Sequence, residues 1–435
     1  MGLCRIIDAR TEDPFPFLLG RQIDRDVQAE RIVAEIIEEV RRRGDAALLD
    51  SGRKFDAVGL NSILVSEQEI ESAELTDAHR SAVAVAAGRI EQFHSLQLAH
   101  FSQGLEPQAG ALGWSFEQVG QRVLPLDSTG VYVPGGKTTY PSSVLMNAIP
   151  ARVAGVAHVF VTTPARADGS LAPAVLVALK VAGVERAFKV GGAAAVAALA
   201  LGTESVPRVD KIVGPGNRYV NEAKRQLWGR VGLDGYAGPS EVCVLIDAGA
   251  NEEFAAADLL TQIEHSDDNA AFLVSTDEGV LHRVLEAVER QLAGSLREQT
   301  MRQALATQSC AFIATDMSQA LDIVNAVAPE HLTISTRDPA GLVDRVQNAA
   351  CILLGDFTPQ SAADYVIGPS HTLPTRGAAR FGSPVNVLDF LKIQSVSHLT
   401  PDQLSELIPV IDAFGEMESF PTHAHGARVR AQGAR

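Results

Sequence analysis

The 435-residue chain is poor in cysteine, with only Cys4, Cys243, Cys310 and Cys351 and no Cys-x-x-Cys pair. That is too few and too scattered for a disulfide scaffold. Long apolar runs are missing as well. A membrane span needs ~18 or more apolar residues, and the richest stretch, VGGAAAVAALALG from Val190, is short and mostly alanine. The N-terminus, MGLCRIIDARTEDPFPFLLG, has no basic start followed by an apolar core, so it does not read as a signal peptide. Ile6 stands where a myristoylation motif wants Ser or Thr. Positive charge is also in deficit: 37 Lys and Arg face 53 Asp and Glu, a formal net charge of −16. Such a surface repels phosphate backbones, which argues against nucleic acid as a general partner. With 46% hydrophobic and 21% charged residues, the composition excludes whole-chain disorder. The expectation is a cytoplasmic protein with no membrane partner.

At roughly 100–200 residues per domain, the length allows two to four domains. Residues 1–28 read as a small N-terminal segment. From Asp26 to Gly44, apolar residues at Val27, Ile32, Val33, Ile36, Ile37 and Val40 follow helical spacing. Ser66–Arg80 and Ser81–Leu98 are further candidate helices. Near Val123 the texture changes. GVYV (130–133), HVFVTT (158–163), RAFKVGG (186–192) and KIVGPG (211–216) read as buried strands. Helices are expected between them at Pro141–Gly155, Ala172–Gly183 and Ala193–Leu201. A second series of strands follows: EVCVLID (241–247), AAFLVST (270–276), CAFIATD (310–316), LTIST (332–336) and CILLGD (351–356). Helices at about 252–265, 279–294, 317–327 and 339–348 connect them. Alternation of this kind predicts βαβ units and parallel sheets. The last ~55 residues read as a helical tail.

Single motifs are ambiguous. GPGNRY (214–219) lacks the third glycine of a dinucleotide fingerprint, and GGKTT (135–139) has Val131 where a P-loop needs glycine. Both read equally as tight turns after strands, although such turns in one α/β unit can form a ligand crevice. Gln262 and His265 lie three apart near the end of a predicted helix and share a face, so both can reach one cation. A C-terminal histidine favoured by the helix dipole is the plainer reading. Glu330 and His331 in APEHL place an acid beside an imidazole in a loop, suited to proton transfer or simply polar. TPQSAADYVIGPSHTLPT (358–375) is a long Pro/Gly-punctuated segment carrying Asp364, Tyr365 and His371. The tail MESFPTHAHGARVR (417–430) carries Glu418, His423 and His425. Cys243, Cys310 and Cys351 lie in or at the start of apolar strands and read as buried structural thiols.

In their order along the chain these fragments resemble the histidinol dehydrogenase family, from about Val33 to Arg428. The stretches that carry the resemblance are VYVPGG…YPSSVLMNAIPA (131–151), VGPGNRYVNEAKR (213–225), VGLDGYAGPSEV (231–242), ADLLTQIEH (257–265), APEHL (328–332), DYVIGPSHTLPT (364–375) and ESFPTH (418–423). The resemblance implies four-electron oxidation of L-histidinol via L-histidinaldehyde to L-histidine, with two NAD⁺ and one Zn²⁺. It implies a homodimer whose active site borrows residues from the partner's C-terminal region. Carried onto this sequence, the zinc ligands are Gln262, His265, Asp364 and His423, and the catalytic pair is Glu330 and His331. Ser240, His371 and Glu418 contact substrate, as do His331 and the metal ligands, while Tyr132 and Asn217 contact NAD.

The implied architecture is two Rossmann-like α/β units. Residues 132–242 form an inserted NAD-binding unit. Residues 29–131 with 243–380 form the discontinuous one, and 381–435 a helical dimerisation tail. Four departures from the family pattern stand out. Ala194 replaces Gln in GGAQA, and Ser370 replaces Asn in GPNH. Ser419 and Phe420 give ESF for EGL, and Gly235 and Tyr236 stand where Met and Pro are common. Two rival readings follow. One is a paralogous zinc/NAD alcohol dehydrogenase acting on a sulfonated propanediol, for which Arg218 and Arg376 are the residues to watch. The other is a zinc-binding protein without redox activity, resting on Ala194 alone.

Overall fold

Ala29, Val33, Ile37 and Val40 recur every three or four residues and form the buried face of the helix Val27–Arg43. Asp26 caps its start by accepting the Ala29 N–H, and Gly44, at a φ of 53°, ends it. The same physical logic runs through a computed structural model that describes residues 2–20, 26–102, 107–108, 111–112, 119–135, 138–235 and 237–433. The chain divides into two units, Met1–Leu98 with Leu126–Phe390 and Ala99–Pro125 with Leu391–Arg435. Gly136 and Lys137 of GGKTT, and Tyr236, lie outside the described residues.

The first unit holds two parallel sheets. In the six-stranded sheet the order is Arg5–Asp8, Cys310–Ile313, Ala270–Ser275, Glu241–Ile246, His331–Ser335, Cys351–Leu354. In the five-stranded sheet it is Arg186–Lys189, His158–Thr163, Ser128–Tyr132, Lys211–Val213, Gly232–Leu233. The five-stranded sheet reverses its strand order once, at Ser128–Tyr132, and the six-stranded sheet does so at Glu241–Ile246 with Arg5–Asp8 added at its edge, the doubly wound pattern. Strand Glu241–Ile246 shows why the strands read as continuous apolar runs. Val242, Val244 and Ile246 face one core, while Cys243 and Leu245 face the other. Cys243 and Cys310 are buried, none of the four cysteines is in a disulfide, and burial pushes the Cys351 thiol up to about 12. These are structural thiols.

Helix Val27–Arg43 packs where the sequence does not announce it. Residues 29–131 are expected to group with 243–380, yet Val33, Ile37, Val40 and Leu48 share a core with Phe188, Val196, Ile212 and Val220 of the five-stranded half. An amphipathic stripe specifies burial but not its partner. The strand Arg5–Asp8 in turn extends the six-stranded sheet by pairing with Cys310–Ile313.

In the second unit, strand Leu391–Ser397 pairs antiparallel with Val119–Pro125. Helices Pro401–Met417 and Pro421–Gly433 lie close together, since a Cβ on Gly415 would come within 3.1 Å of the Ala424 Cβ. Among the described residues no helix is long and apolar enough to cross a membrane.

Candidate active site

The two parallel sheets present opposite edges to one cleft of about 2410 Å³. From the five-stranded sheet come the turns after its strands, including Pro134, Pro215–Asn217 and Asp234. From the six-stranded sheet come residues just before its strands: Ser240, Asn269 and Glu330. The usual ligand position is the carboxyl edge at the strand-order reversal. Only the five-stranded sheet follows that rule.

Helix Met317–Val327 ends at Ala328, held left-handed at a φ of 48°, which turns the chain into Glu330 and the central strand His331–Ser335. Both Glu330 and His331 are buried. Glu330 Oε2 accepts the Glu241 N–H at 2.7 Å and lies 3.8 Å from His331 Nδ1. His331 Nε2 lies 3.3 Å from Asp364 Oδ1. Burial pushes the Glu330 carboxyl up to about 8, against the opposing charge of His331. Burial also works against a charged His331, but the Asp364 hydrogen bond and the nearby carboxylates prevail, and its pKa is raised. For Asp364 burial is likewise outweighed, here by His331, His371 and His265, and its pKa is lowered. Negative charge therefore settles on Asp364, and Glu330 stays close to a neutral acid.

Helix Glu252–Ile263 runs back to the same edge and delivers Gln262 and His265 beside Ser240. Two rungs join it to the short helix Gln360–Tyr365. Gln262 Nε2 donates to Asp364 Oδ2 at 3.2 Å, and the Gln360 N–H donates to Asp258 Oδ1 at 3.4 Å. Each pair of residues is four apart on its own helix, so the rungs stack one turn apart. The helix end lacks a glycine cap. Instead Asn269 Nδ2 donates to the Gln262 carbonyl at 2.7 Å, and Arg297 donates to the Glu264 carbonyl at 2.9 Å. Half-buried His371 places Nε2 3.1 Å from the Ser142 hydroxyl, at the start of helix Pro141–Ala154.

At the opposite wall Asn217 caps helix Arg218–Leu227, accepting the Tyr219 and Val220 N–H groups. Tyr132 is buried beneath these turns, its hydroxyl accepting the Gly192 N–H at 3.3 Å. Gly214 has a φ of 115°, and a Cβ there would stand 2.1 Å from the Tyr132 carbonyl oxygen. Only glycine fits. A buried ion pair, Lys224 to Asp234 at 2.8 Å, grips the same glycine through both of its backbone polar groups. Lys224 Nζ donates to the Gly214 carbonyl at 2.6 Å, and Asp234 accepts the Gly214 N–H at 2.7 Å.

The structure thus brings Ser240, Gln262, His265, Glu330, His331, Asp364, His371 and Asn217 to one cleft. Glu418 and His423 belong to the second unit, where both are exposed. Residues 19–431 match the histidinol dehydrogenase family model. The chain belongs to that family. Histidinol dehydrogenase of Geobacter sulfurreducens is 42% identical over 436 residues, covering 99% of this chain and 100% of its own. That of Syntrophotalea carbinolica is 45% identical and covers 92% of each. The crystal structure of histidinol dehydrogenase from Elizabethkingia anophelis superposes with a TM-score of 0.91 at 33% identity, covering 100% of this chain and 99% of that one.

Against the family pattern, the departures acquire physical content. Ser370 is buried and its hydroxyl accepts the Thr372 N–H at 3.1 Å, a turn that asparagine also makes. Ser419 stands where the family has glycine and is left-handed, with a φ of 61°. Ala194 is buried in the first turn of helix Gly192–Leu201. Arg218 is committed to Asp26 at 3.2 Å and to the Tyr219 hydroxyl at 2.9 Å, which leaves it ill placed for a sulfonate. Neither rival reading is favoured.

For a metal, the donors in the first unit are an amide, an imidazole and an ionised carboxylate, the mixed N and O set that zinc accepts. Among the described residues no trio of His, Cys, Asp or Glu converges on one point. The first unit contributes only two such side chains to the expected set, His265 and Asp364, and its third donor, Gln262, is an amide. Asn269, Asp258, Lys224 and Asp234 escaped the sequence reading. Their spacing carries no motif, and their partners become visible only in the fold.

Proposed function

We propose that this chain oxidises L-histidinol through L-histidinaldehyde to L-histidine with two NAD⁺, the last steps of histidine biosynthesis. The observation that carries this reading is the buried run Glu330–His331–Asp364, with Gln262 bonded to its end. Gln262, His265 and Asp364 would hold zinc, together with His423 from a partner subunit of a homodimer. When bound, zinc supplies a charged centre for the substrate's nitrogens, and NAD⁺ supplies a hydride acceptor.

The chain's own residues do the rest. His331 accepts the hydroxyl proton, and Asp364 at its Nε2 steadies the imidazolium that forms. Once ionised, as it is when pH approaches 8, Glu330 takes a proton from the water that adds to the aldehyde, so that the hydrate can be oxidised in turn. Its raised pKa makes it a stronger base than an ordinary carboxylate. Ser240 and His371 hold the substrate, and Glu418 of the partner subunit pairs with its cationic end. Asn217 and Tyr132 are assigned to the cofactor. The setting is the cytoplasm, with no membrane or nucleic-acid partner.

The test is NADH yield from purified, zinc-loaded protein in excess NAD⁺. Two NADH per L-histidinol, with L-histidine as product, are expected. One NADH with free aldehyde, or NADH only from dihydroxypropanesulfonate, would overturn the reading.

A further inference from the structure

Asn269 occupies an unusual station. It immediately precedes strand Ala270–Ser275, whose register pairs Ala270 with Glu241. It therefore stands across from Ser240 at the sheet edge. Its side chain is buried, 2% exposed, and both ends are used. Oδ1 accepts the Ser240 N–H at 3.0 Å, and Nδ2 donates to the Gln262 carbonyl at 2.7 Å. The backbone beside it repeats the link, because the Ala270 N–H donates to the Ser240 carbonyl at 3.1 Å.

The helix end explains why this matters. The last carbonyls of a helix have no partner within it. Here helix Glu252–Ile263 ends one residue after Gln262. Arg297 serves the Glu264 carbonyl, so Asn269 alone is left for Gln262 among these side chains. A buried carbonyl without a partner keeps its desolvation penalty with nothing to offset it. The turn carrying Gln262 would relax to recover that cost, and the Gln262 amide would move away from Asp364.

We propose that Asn269 is a positioning residue that fixes the substrate-facing Ser240 turn and the Gln262 end of the helix at one spacing. The proposal rests on the reading of Gln262 as a zinc ligand and Ser240 as a substrate contact. One amide couples a strand edge, which the sheet holds rigid, to a helix end whose Gln262 carbonyl accepts from no other side chain among the described residues. The signature is therefore selective. Metal affinity and substrate affinity change together, while the cofactor wall, built on the other sheet, does not respond.

The experiment uses full-length protein with Asn269→Ala, and Asn269→Ser as a second variant should the first fail to fold. Zinc affinity is read by competition with a chromophoric chelator, and KM is measured separately for L-histidinol and NAD⁺. Zinc binding is expected to weaken by about 10–100-fold, the range for partners that orient metal ligands. KM for L-histidinol should rise about tenfold, as for one lost hydrogen bond, with KM for NAD⁺ unchanged. A lowered melting temperature with unchanged zinc affinity and unchanged KM for L-histidinol would show a merely structural amide and overturn the proposal. Gln262→Ala separates the two possible failures. If that variant keeps full zinc affinity, the ligand reading fails and the coupling falls with it. If it loses zinc while Asn269→Ala does not, only the coupling fails.

Discussion

Glu330 is a carboxyl shut away from water, and its base strength comes from that burial. Its pKa rises from an ordinary 4.5 to about 8. Below pH 4.5 the folded and unfolded chains both hold the proton. Between 4.5 and about 8 the folded protein keeps a proton that the unfolded chain has released, so folding weakens as pH rises through that window. Glu330→Gln removes the liability. Its melting temperature should match the parent's near pH 4.5 and exceed it increasingly up to pH 8, while turnover falls by about 10²–10⁴. A variant that gains no stability at pH 8 would show that the carboxyl is not held neutral. A second residue-scale effect lies at Ser419, left-handed where glycine pays no steric penalty. Ser419→Gly should gain up to about 1 kcal/mol, read as a higher denaturant midpoint at unchanged slope. An unchanged or lower midpoint would refute it. At this scale the sequence was legible where reactive types stand side by side, as in Glu330–His331. It was silent about Asn269, whose importance depends on the register of Glu241 against Ala270.

Elements were easier to read than their ends. The strands from Ser128 to Val213 and from Glu241 to Leu354 follow from their apolar runs. The candidate helix Ser66–Arg80 instead breaks into Glu67–Glu71 and Asp77–Ser102, each with its own start signal. Ser66 and Glu69 form a capping box, and Thr76 accepts the His79 N–H at 3.2 Å. The helix expected over 339–348 is a 3-10 turn, Ala340–Arg345. Asp338 accepts the Gly341 N–H, tightening the first turn, and no residue of the turn is buried to favour a longer helix. Helix Glu298–Thr307 went unread because its apolar stripe is only Met301, Ala304 and Leu305. The element with the clearest consequence is the turn at Gly214. Asp234→Asn strips the countercharge from buried Lys224 and should cost about 3–5 kcal/mol. The double variant Lys224→Met/Asp234→Leu should recover part of that stability. KM for NAD⁺ should rise in the double variant, where Gly214 has lost both of its side-chain partners. An unchanged KM for NAD⁺ in the double variant would show that the pair is structural only.

For the whole molecule, the parallel sheets were foreseeable from alternating strands and helices, but the placement of helix Val27–Arg43 against the five-stranded half was not. The proposed shared-site homodimer can be tested by mixing. Glu330→Gln and His423→Ala subunits, each inactive alone, should on exchange give about a quarter of wild-type activity, since half the dimers are hybrids with one intact site in two. No recovery from verified hybrids would place His423 in its own subunit's site or outside both. From 237 to 241 nearly every residue is held: the Ala237 carbonyl accepts from Asn221, the Gly238 N–H reaches Thr375, Ser240 meets Asn269, and Glu241 meets Glu330. One inserted or deleted residue would slide one half of this ladder past the other by about 3.5 Å, farther than any of these bonds can stretch. The length of this stretch is a ruler, and descendants of this gene are not free to recalibrate it.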